Sequence, residues 1–457
     1  MFPIANRRAV CYDKAQINLH DTEVSRLKRF IRKQPPGRLI VCGFLAVILA
    51  GWLLLLLPCA VKPGVELSAV DALFTSASAV CVTGLLTVDT ADTYTVFGQV
   101  VVTVLIQLGG LGVSSVGVGL MVAAGRRVGF KSRQMVREAL NVSSFQGIVR
   151  LVRSVLAITF GFELAGAIAC FCVFIGDYPF WQAVGLSIFH SIASFNNAGF
   201  DIFGGGQSLA GYSTHVPLLL ITCALIICGG IGFPVMLDLA HARAFRKLTL
   251  QTKVVLTTTL GLLAGGTLLL RLAGQDWLSA FFYSVSARTA GFSISSSPGS
   301  FSTAALLCMC VLMLIGASPG STGGGIKTTT FFALLQSLRN AATQHRYGAF
   351  HRSIPDTVIR RAHVLTLLSL SIICTGTFVL CLLEPELSLA AALFEVFSAF
   401  GTVGLSTGIT GSLCTAAKVL IMALMFTGRV GAFTIASIWY TRPERQTRYT
   451  EESITIG

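Results

Sequence analysis

The sequence predicts an all-α polytopic membrane protein with eight transmembrane helices. Three observations predict it. Of 457 residues, 53% are hydrophobic and 12% charged, with a mean hydropathy of +0.75, whereas ordinary soluble domains carry about 25% charge. Eight apolar stretches have the roughly 20 residues that a bilayer core requires. Within each successive pair of stretches lies a shorter apolar segment, and these four segments share one pattern.

The elements follow in chain order. Residues 1–38 are polar and basic and carry no cleavable signal pattern, so they read as a cytosolic segment. Spans are expected at Leu39–Ala60, Tyr94–Ala124, Leu151–Ile175, His215–Ala240, Val254–Leu272, Phe301–Leu335, Ala362–Leu383 and Thr415–Tyr440. Between members of each pair lie Ala69–Val82, Trp181–Phe195, Trp277–Ala287 and Leu389–Gly401. These are too short to span and read as re-entrant helices. The chain therefore divides into four repeats, residues 39–124, 150–240, 253–336 and 360–440, followed by a cytosolic tail, 441–457.

Charge fixes the orientation. Of the 34 basic residues, 29 fall in the N-terminal segment, the tail and three alternate connections. The positive-inside rule places both termini and those connections in the cytoplasm, as a multi-pass protein of the cell membrane. The other face holds ten acidic residues, among them Asp89, Asp92 and Asp201, and four basic ones. An acidic face concentrates cations. The net charge of +14 thus reflects membrane topology and lipid headgroup contact, and nucleic acid is not an expected partner. Most of the 13 cysteines sit in apolar runs without C-x₂-C spacing, which argues against disulfides and metal sites.

The repeat is the strongest signal. The four segments read Phe74-TSASAVCVT-Gly84-Leu85, Phe189-HSIASFNNA-Gly199-Phe200, Phe281-FYSVSARTA-Gly291-Phe292 and Phe394-EVFSAFGTV-Gly404-Leu405. In each, a phenylalanine precedes the glycine by ten positions, with small residues between. Non-helical backbone at membrane depth must be buried in protein or line a watery cavity. Four such loops around one axis would present a ring of carbonyls, which can replace the water shell of a monovalent cation. The ring residues would be Val82, Thr83, Gly84, Asn197, Ala198, Gly199, Thr289, Ala290, Gly291, Thr402, Val403 and Gly404. Neutral oxygens suit K⁺ better than Ca²⁺ or Mg²⁺, which prefer carboxylates. The architecture read from the sequence is therefore four span–pore helix–span repeats around one pore.

These loops, and above all Ser286-Ala-Arg-Thr-Ala-Gly-Phe292, resemble the Trk/Ktr/HKT superfamily of potassium transporters. The resemblance runs from about Pro35 to Gly457 and is closest to the Ktr-type membrane subunit, because no extra pair of spans precedes the first repeat and the tail is short. It implies potassium uptake, with K⁺ as substrate at the filter carbonyls, and a homodimer in which each chain holds its own pore. It also implies a cytosolic ring of nucleotide-binding regulatory subunits. No covalently bound cofactor is expected, nucleotide would enter only through that partner, and Na⁺ is admitted as an activator.

The sixth span is interrupted at Gly316–Gly325, which contains five glycines and one proline and cannot hold a helix. This reads as an intramembrane gate involving Gly316, Ser318, Gly320, Gly323, Gly324, Gly325 and Lys327. The register of a phosphate-binding loop is missing. Arg429 lies inside the last span, where an arginine costs about 2.5–3.5 kcal/mol on insertion scales. It reads as an electrostatic barrier or a ligand for the gate-loop carbonyls. The weaker candidates are Glu163, paired with a base or capping a helix; Arg288, braced by an acidic neighbour; and His190, as a packed residue. Asn196 and Asn197 make the ring asymmetric. Gly109–Gly112 reads as a helix-packing face. A coupled secondary cation transporter is the alternative, although such carriers often use inverted repeats and intramembrane carboxylates. No catalytic constellation marks an enzyme.

Overall fold

Leucine, valine, isoleucine and alanine dominate the apolar stretches, and at membrane depth their backbone groups can be satisfied only within a helix. Helix accordingly dominates the computed structural model, which describes residues 34, 36–123, 129–139, 147–242, 244–295, 301–343 and 348–431. The first helices are α1 (Pro36–Leu55), α2 (Ala69–Cys81), α3 (Thr90–Thr93), α4 (Val96–Leu111), α5 (Val113–Ala123) and α6 (Phe130–Ala139). Then come α7 (Ile148–Phe174), α8 (Phe180–Phe195), α9 (Val216–Ile231), α10 (Phe233–His241), α11 (Leu250–Leu272) and α12 (Trp277–Ser286). The last are α13 (Thr303–Leu314), α14 (Thr328–Thr343), α15 (Asp356–Leu383), α16 (Leu389–Gly401) and α17 (Thr415–Val430). A two-stranded antiparallel hairpin, β1 (Gly348–Ala349) and β2 (Arg352–Ser353), joins α14 to α15.

Among the described residues, four helices are long and apolar enough to cross a membrane: α1, α7, α11 and α15. Two bent pairs raise this to six, α4 with α5 at 100° and α9 with α10 at 94°. The sequence expects eight. The sixth expected span is divided into α13 and α14 by the non-helical stretch after Leu314. The eighth is seen as the 16 residues of α17; residues 432–440 lie outside the described residues, as do residues 1–33 and the tail. The two bends, and the end of α17, have a local cause. Gly112, Gly232 and Gly431 follow α4, α9 and α17 with φ of 80°, 99° and 93°, a conformation that glycine reaches without the cost a Cβ imposes.

The short helices α2, α8, α12 and α16 lie at the centre. Ser68, Asp276 and Ser388 cap three of them by accepting backbone N–H bonds at their first turns. Trp181 and Trp277, near the starts of α8 and α12, are exposed, as suits aromatic anchors at a membrane surface. Each short helix packs between the helix before it and the helix after it. Each following helix also packs on the next short helix: α4 on α8, α9 on α12, α13 on α16, and α17 on α2. The arrangement closes on itself. Lys418 at the start of α17 reaches Asp71 on α2 at 2.8 Å, tying the last helix to the first short one. Phe74, Phe189 and Phe394 are buried, whereas in the third segment Phe281 is half-buried and Phe282 takes the core position.

Candidate functional site

The C-terminal ends of the four short helices meet at their glycines. A Cβ on Gly84 would strike the Ala198 carbonyl and lie 2.9 Å from the Gly199 Cα; one on Gly199 would lie 3.1 Å from the Gly291 Cα. One on Gly291 would strike the Val403 carbonyl, 3.0 Å from the Gly404 Cα, and one on Gly404 would strike the Thr83 carbonyl, 3.0 Å from the Gly84 Cα. Each glycine thus faces the next, and the fourth faces the first. The carbonyls of Thr83, Ala198, Ala290 and Val403 lie at the four junctions.

Backbone conformation repeats with the same regularity. Val82, Asn197, Thr289 and Thr402, each two residues before its glycine, have φ of 56°, 59°, 76° and 51°. The glycines follow at 89°, 67°, 78° and 98°. Left-handed backbone is a true outlier for β-branched residues such as Val82, Thr289 and Thr402. Strained residues of this kind cost about 1–3 kcal/mol each and persist only where the surroundings over-determine them. Ser78 and Ser398 supply part of that constraint. Thr83 N and Val403 N donate to their carbonyls, both at 2.9 Å, and Gly84 N and Gly404 N donate to their hydroxyls at 3.1 and 3.0 Å. The second and third loops differ. Ala198 N donates to the Ala193 carbonyl, while Ala290 N and Gly291 N both donate to Ser286 O. The Asn197 amide lies 3.3 Å from Thr289 Oγ1, joining these two loops.

On one side of the ring lies a cavity of about 250 Å³ that contains all four glycines and the residues after them, including Asp89, Asp201, Ser293, Ser406 and Thr410. On the other side, the Gly316–Gly325 loop touches the residues before them. Gly323 packs on Thr289 and Gly324 on Thr402, so a Cβ at either would strike a threonine hydroxyl. The loop is bonded to its neighbours. Ser318 N donates to Gly230 O at 3.0 Å, Phe233 N to Gly320 O at 2.9 Å, and Thr322 Oγ1 to Phe195 O at 3.3 Å. Thr328 Oγ1 donates to Ser318 Oγ at 3.0 Å.

Three cations, Arg288 buried and Lys327 and Arg429 half-buried, hold this loop by its carbonyls. Lys327 Nζ donates to Gly323 O at 2.7 Å and Gly324 O at 3.3 Å. Arg288 Nη2 donates to Gly316 O at 3.4 Å. Arg429 donates to Thr322 O and, across the centre, to Gly109 O and Gly110 O. The acidic neighbour expected for Arg288 is not among its described contacts; a carbonyl of the broken span stands there. Glu163 also departs from expectation, since its carboxylate accepts from Gln107 Nε2 at 3.2 Å and Asn196 Nδ2 at 2.9 Å and pairs with no base among the described residues. His190 Nε2 bonds Thr222 Oγ1 at 2.9 Å within an aromatic cluster, as a packed residue would.

Sequence reading missed one set of residues. Gly109, Gly229 and Gly428 each press against a carbonyl four residues before a ring glycine: Val80, Phe195 and Phe400. Each opens a G-x-x-G run that ends at a helix break: Gly109-Gly-Leu-Gly112, Gly229-Gly-Ile-Gly232 and Gly428-Arg-Val-Gly431. Gly109–Gly112 is therefore a break as well as a packing surface. Arg429 occupies the place that Gly110 and Gly230 hold in the other two runs. The recurrence of G-x-x-G after three of the four ring glycines was the available signal.

A multi-pass helical membrane protein whose short helices bring four backbone loops to one buried ring belongs to the class of cation transport proteins. The comparisons agree. The TrkH family, described as cation transport protein, matches residues 44–273 and 248–441, and the chain belongs to that family. It is 38% identical over 451 residues to the potassium/sodium uptake protein NtpJ of Enterococcus hirae, covering 94% of this chain and 99% of that one. It is 37% identical over 445 residues to the Ktr system potassium uptake protein B of Bacillus subtilis, covering 94% and 98%. The crystal structure of the potassium transporter TrkH from Vibrio parahaemolyticus shares the fold, with a TM-score of 0.70 at 19% identity over 90% of this chain and 86% of that one.

Proposed function

We propose that the chain takes up potassium ions across the cell membrane through a channel-like pore. In this reading the four loops form the selectivity filter of four span–pore helix–span repeats, and Gly316–Gly325, Lys327 and Arg429 form the gate. The observation that carries it is the closed glycine ring. Four carbonyls at one level can replace the water shell of a monovalent ion, and four helix C-termini direct negative dipole ends toward it. The hydroxyls of Thr83 and Thr402, buried and without a protein partner, add further oxygens. Relatives named as potassium uptake proteins over nearly the whole chain support the choice of ion.

The gate reading rests on position. The loop stands against the residues that precede the ring glycines, and Arg429 crosses from α17 to α4 at that level. A cation fixed there repels a permeating cation until the loop and the arginine move aside. A cytosolic nucleotide-binding regulatory subunit, contacting the basic connections, would supply the bias between the two positions, and a homodimer would place two such pores side by side. Activation by Na⁺ belongs to the same reading.

Ion flux into proteoliposomes holding the purified chain tests it. Saturable K⁺ and Rb⁺ flux exceeding Na⁺ flux is expected, enhanced by the regulatory subunit. Equal Na⁺ flux would remove the selectivity assignment. Absence of flux even with the partner present would favour the coupled secondary transporter.

A further inference from the structure

The cavity above the ring holds one carboxylate that the pore reading does not use. Asp201 follows Gly199 by two residues, outside the spanning helices. It is 6% exposed and lines the same cavity as Gly84, Gly199, Gly291 and Gly404. Its one described hydrogen bond is from Phe203 N to Oδ1 at 3.3 Å, and it has no basic partner among the described residues. Burying an ionised carboxylate without a cation is costly. A site of this kind is satisfied by a proton or by a cation that enters the cavity.

The surrounding charges sharpen the choice. Asp89 lines the cavity too, but it is committed to backbone donors, Ala91 N at 2.7 Å, Asp92 N at 2.9 Å and Gly206 N at 2.6 Å. Asp92 accepts Gly205 N at 2.9 Å. Both lie close enough to Asp201 to raise the cost of a charge on it. Glu395 lies behind the wall, bonded to Ser406 and Thr410. The cavity lining contains no lysine, arginine or histidine among the described residues. Asp201 is thus the lining carboxylate with the fewest hydrogen-bond donors among the described residues.

We propose that Asp201 is an outer loading site for the transported monovalent cation, at which protons compete, so that acid outside the cell weakens uptake by lowering apparent affinity. The proposal rests on the pore reading, with this cavity as the outer mouth. Burial, reinforced by Asp89 and Asp92, pushes the Asp201 carboxyl up to about 7. The sign follows. Above that value the carboxylate is charged and attracts K⁺; below it the group is neutral and the attraction is lost. Competition is reciprocal, so a bound cation in turn lowers the proton affinity of the site.

Rb⁺ uptake into proteoliposomes, with KM and maximal rate measured at external pH 6, 7 and 8, provides the test. In the wild-type chain KM should fall about five-fold from pH 6 to pH 8, the scale of one unit charge acting across a vestibule, with the maximal rate little changed. Asp201→Asn should hold the high KM at all three values, and Asp201→Glu should restore the pH dependence. The K⁺ over Na⁺ preference should stay unchanged in both, since the ring is untouched. Wild-type KM that does not vary with pH, or an Asp201→Asn chain that retains the wild-type profile, would overturn the proposal while leaving the pore standing. Loss of saturable flux in the wild-type chain itself would remove the pore reading and this site together.

Discussion

The ring and the layer directly beneath it are built from the same four segments of chain, yet they follow opposite rules. In the ring the backbone repeats and the side chains vary. Val82-Thr-Gly, Asn197-Ala-Gly, Thr289-Ala-Gly and Thr402-Val-Gly all adopt a left-handed residue two places before a left-handed glycine. In the layer below the backbone differs and the side chains decide. Three segments break at G-x-x-G, whereas the other departs into the long Gly316–Gly325 loop, and only the last run carries an arginine in place of glycine. In the proposed filter the backbone would supply the ligands, so near-symmetry suffices and sequence is free to drift. Where one charge must stand at one place, symmetry has to be broken.

The largest effect that can break this comparison is expected in the ring. Gly291→Ser places a Cβ against the Val403 carbonyl at a residue with φ of 78°. It should leave the chain folded and lower the K⁺ over Na⁺ preference by about ten-fold, or roughly 1.4 kcal/mol, as read by competing ion fluxes. An unchanged preference would argue that Gly291 does not line the ion path. Next in size is the layer below. Deleting residues 316–325 should raise K⁺ flux, and Arg429→Gln should raise it about three-fold while sparing selectivity. Lower flux with intact ion preference in either variant would turn the loop from a gate into a scaffold.

The smallest effect concerns the closure of the ring's outer frame. Burial acts to raise the Asp71 carboxyl, but hydrogen bonds from Lys418 and Ser68 outweigh it and hold the group below its ordinary 3.8. That stabilisation is present above the ordinary value and is lost as pH falls through the depressed one. Lys418→Met should cost about 0.5–1 kcal/mol at neutral pH and nothing once Asp71 is protonated, as read by thermal unfolding in detergent. A penalty that persists in acid would assign the loss to packing of the lysine stem.

The ring was legible in the sequence because its signal is local and repeated: a phenylalanine, ten positions and a glycine. The interruption at Gly316–Gly325 was legible because no helix tolerates that density of glycine and proline. The breaks at Gly112, Gly232 and Gly431 were not, since glycines within an apolar run read equally well as close helix packing. Phe282 rather than Phe281 sits in the core of the third segment, where α12 has only 10 residues and meets the ring in a different register from the 13-residue α2 and α16. The partner of Arg288 was hidden for a different reason. Its acceptor is a main-chain carbonyl 28 residues away, and carbonyls leave no mark in a sequence.

The ring closes within one polypeptide, Gly404 against Gly84. In an assembly of four identical chains, any inherited change at such a ring would be imposed on every side at once. Here a single codon alters one quadrant, so variation can sample small departures from symmetry, such as the asparagine at position 197, without staking the whole passage on each trial.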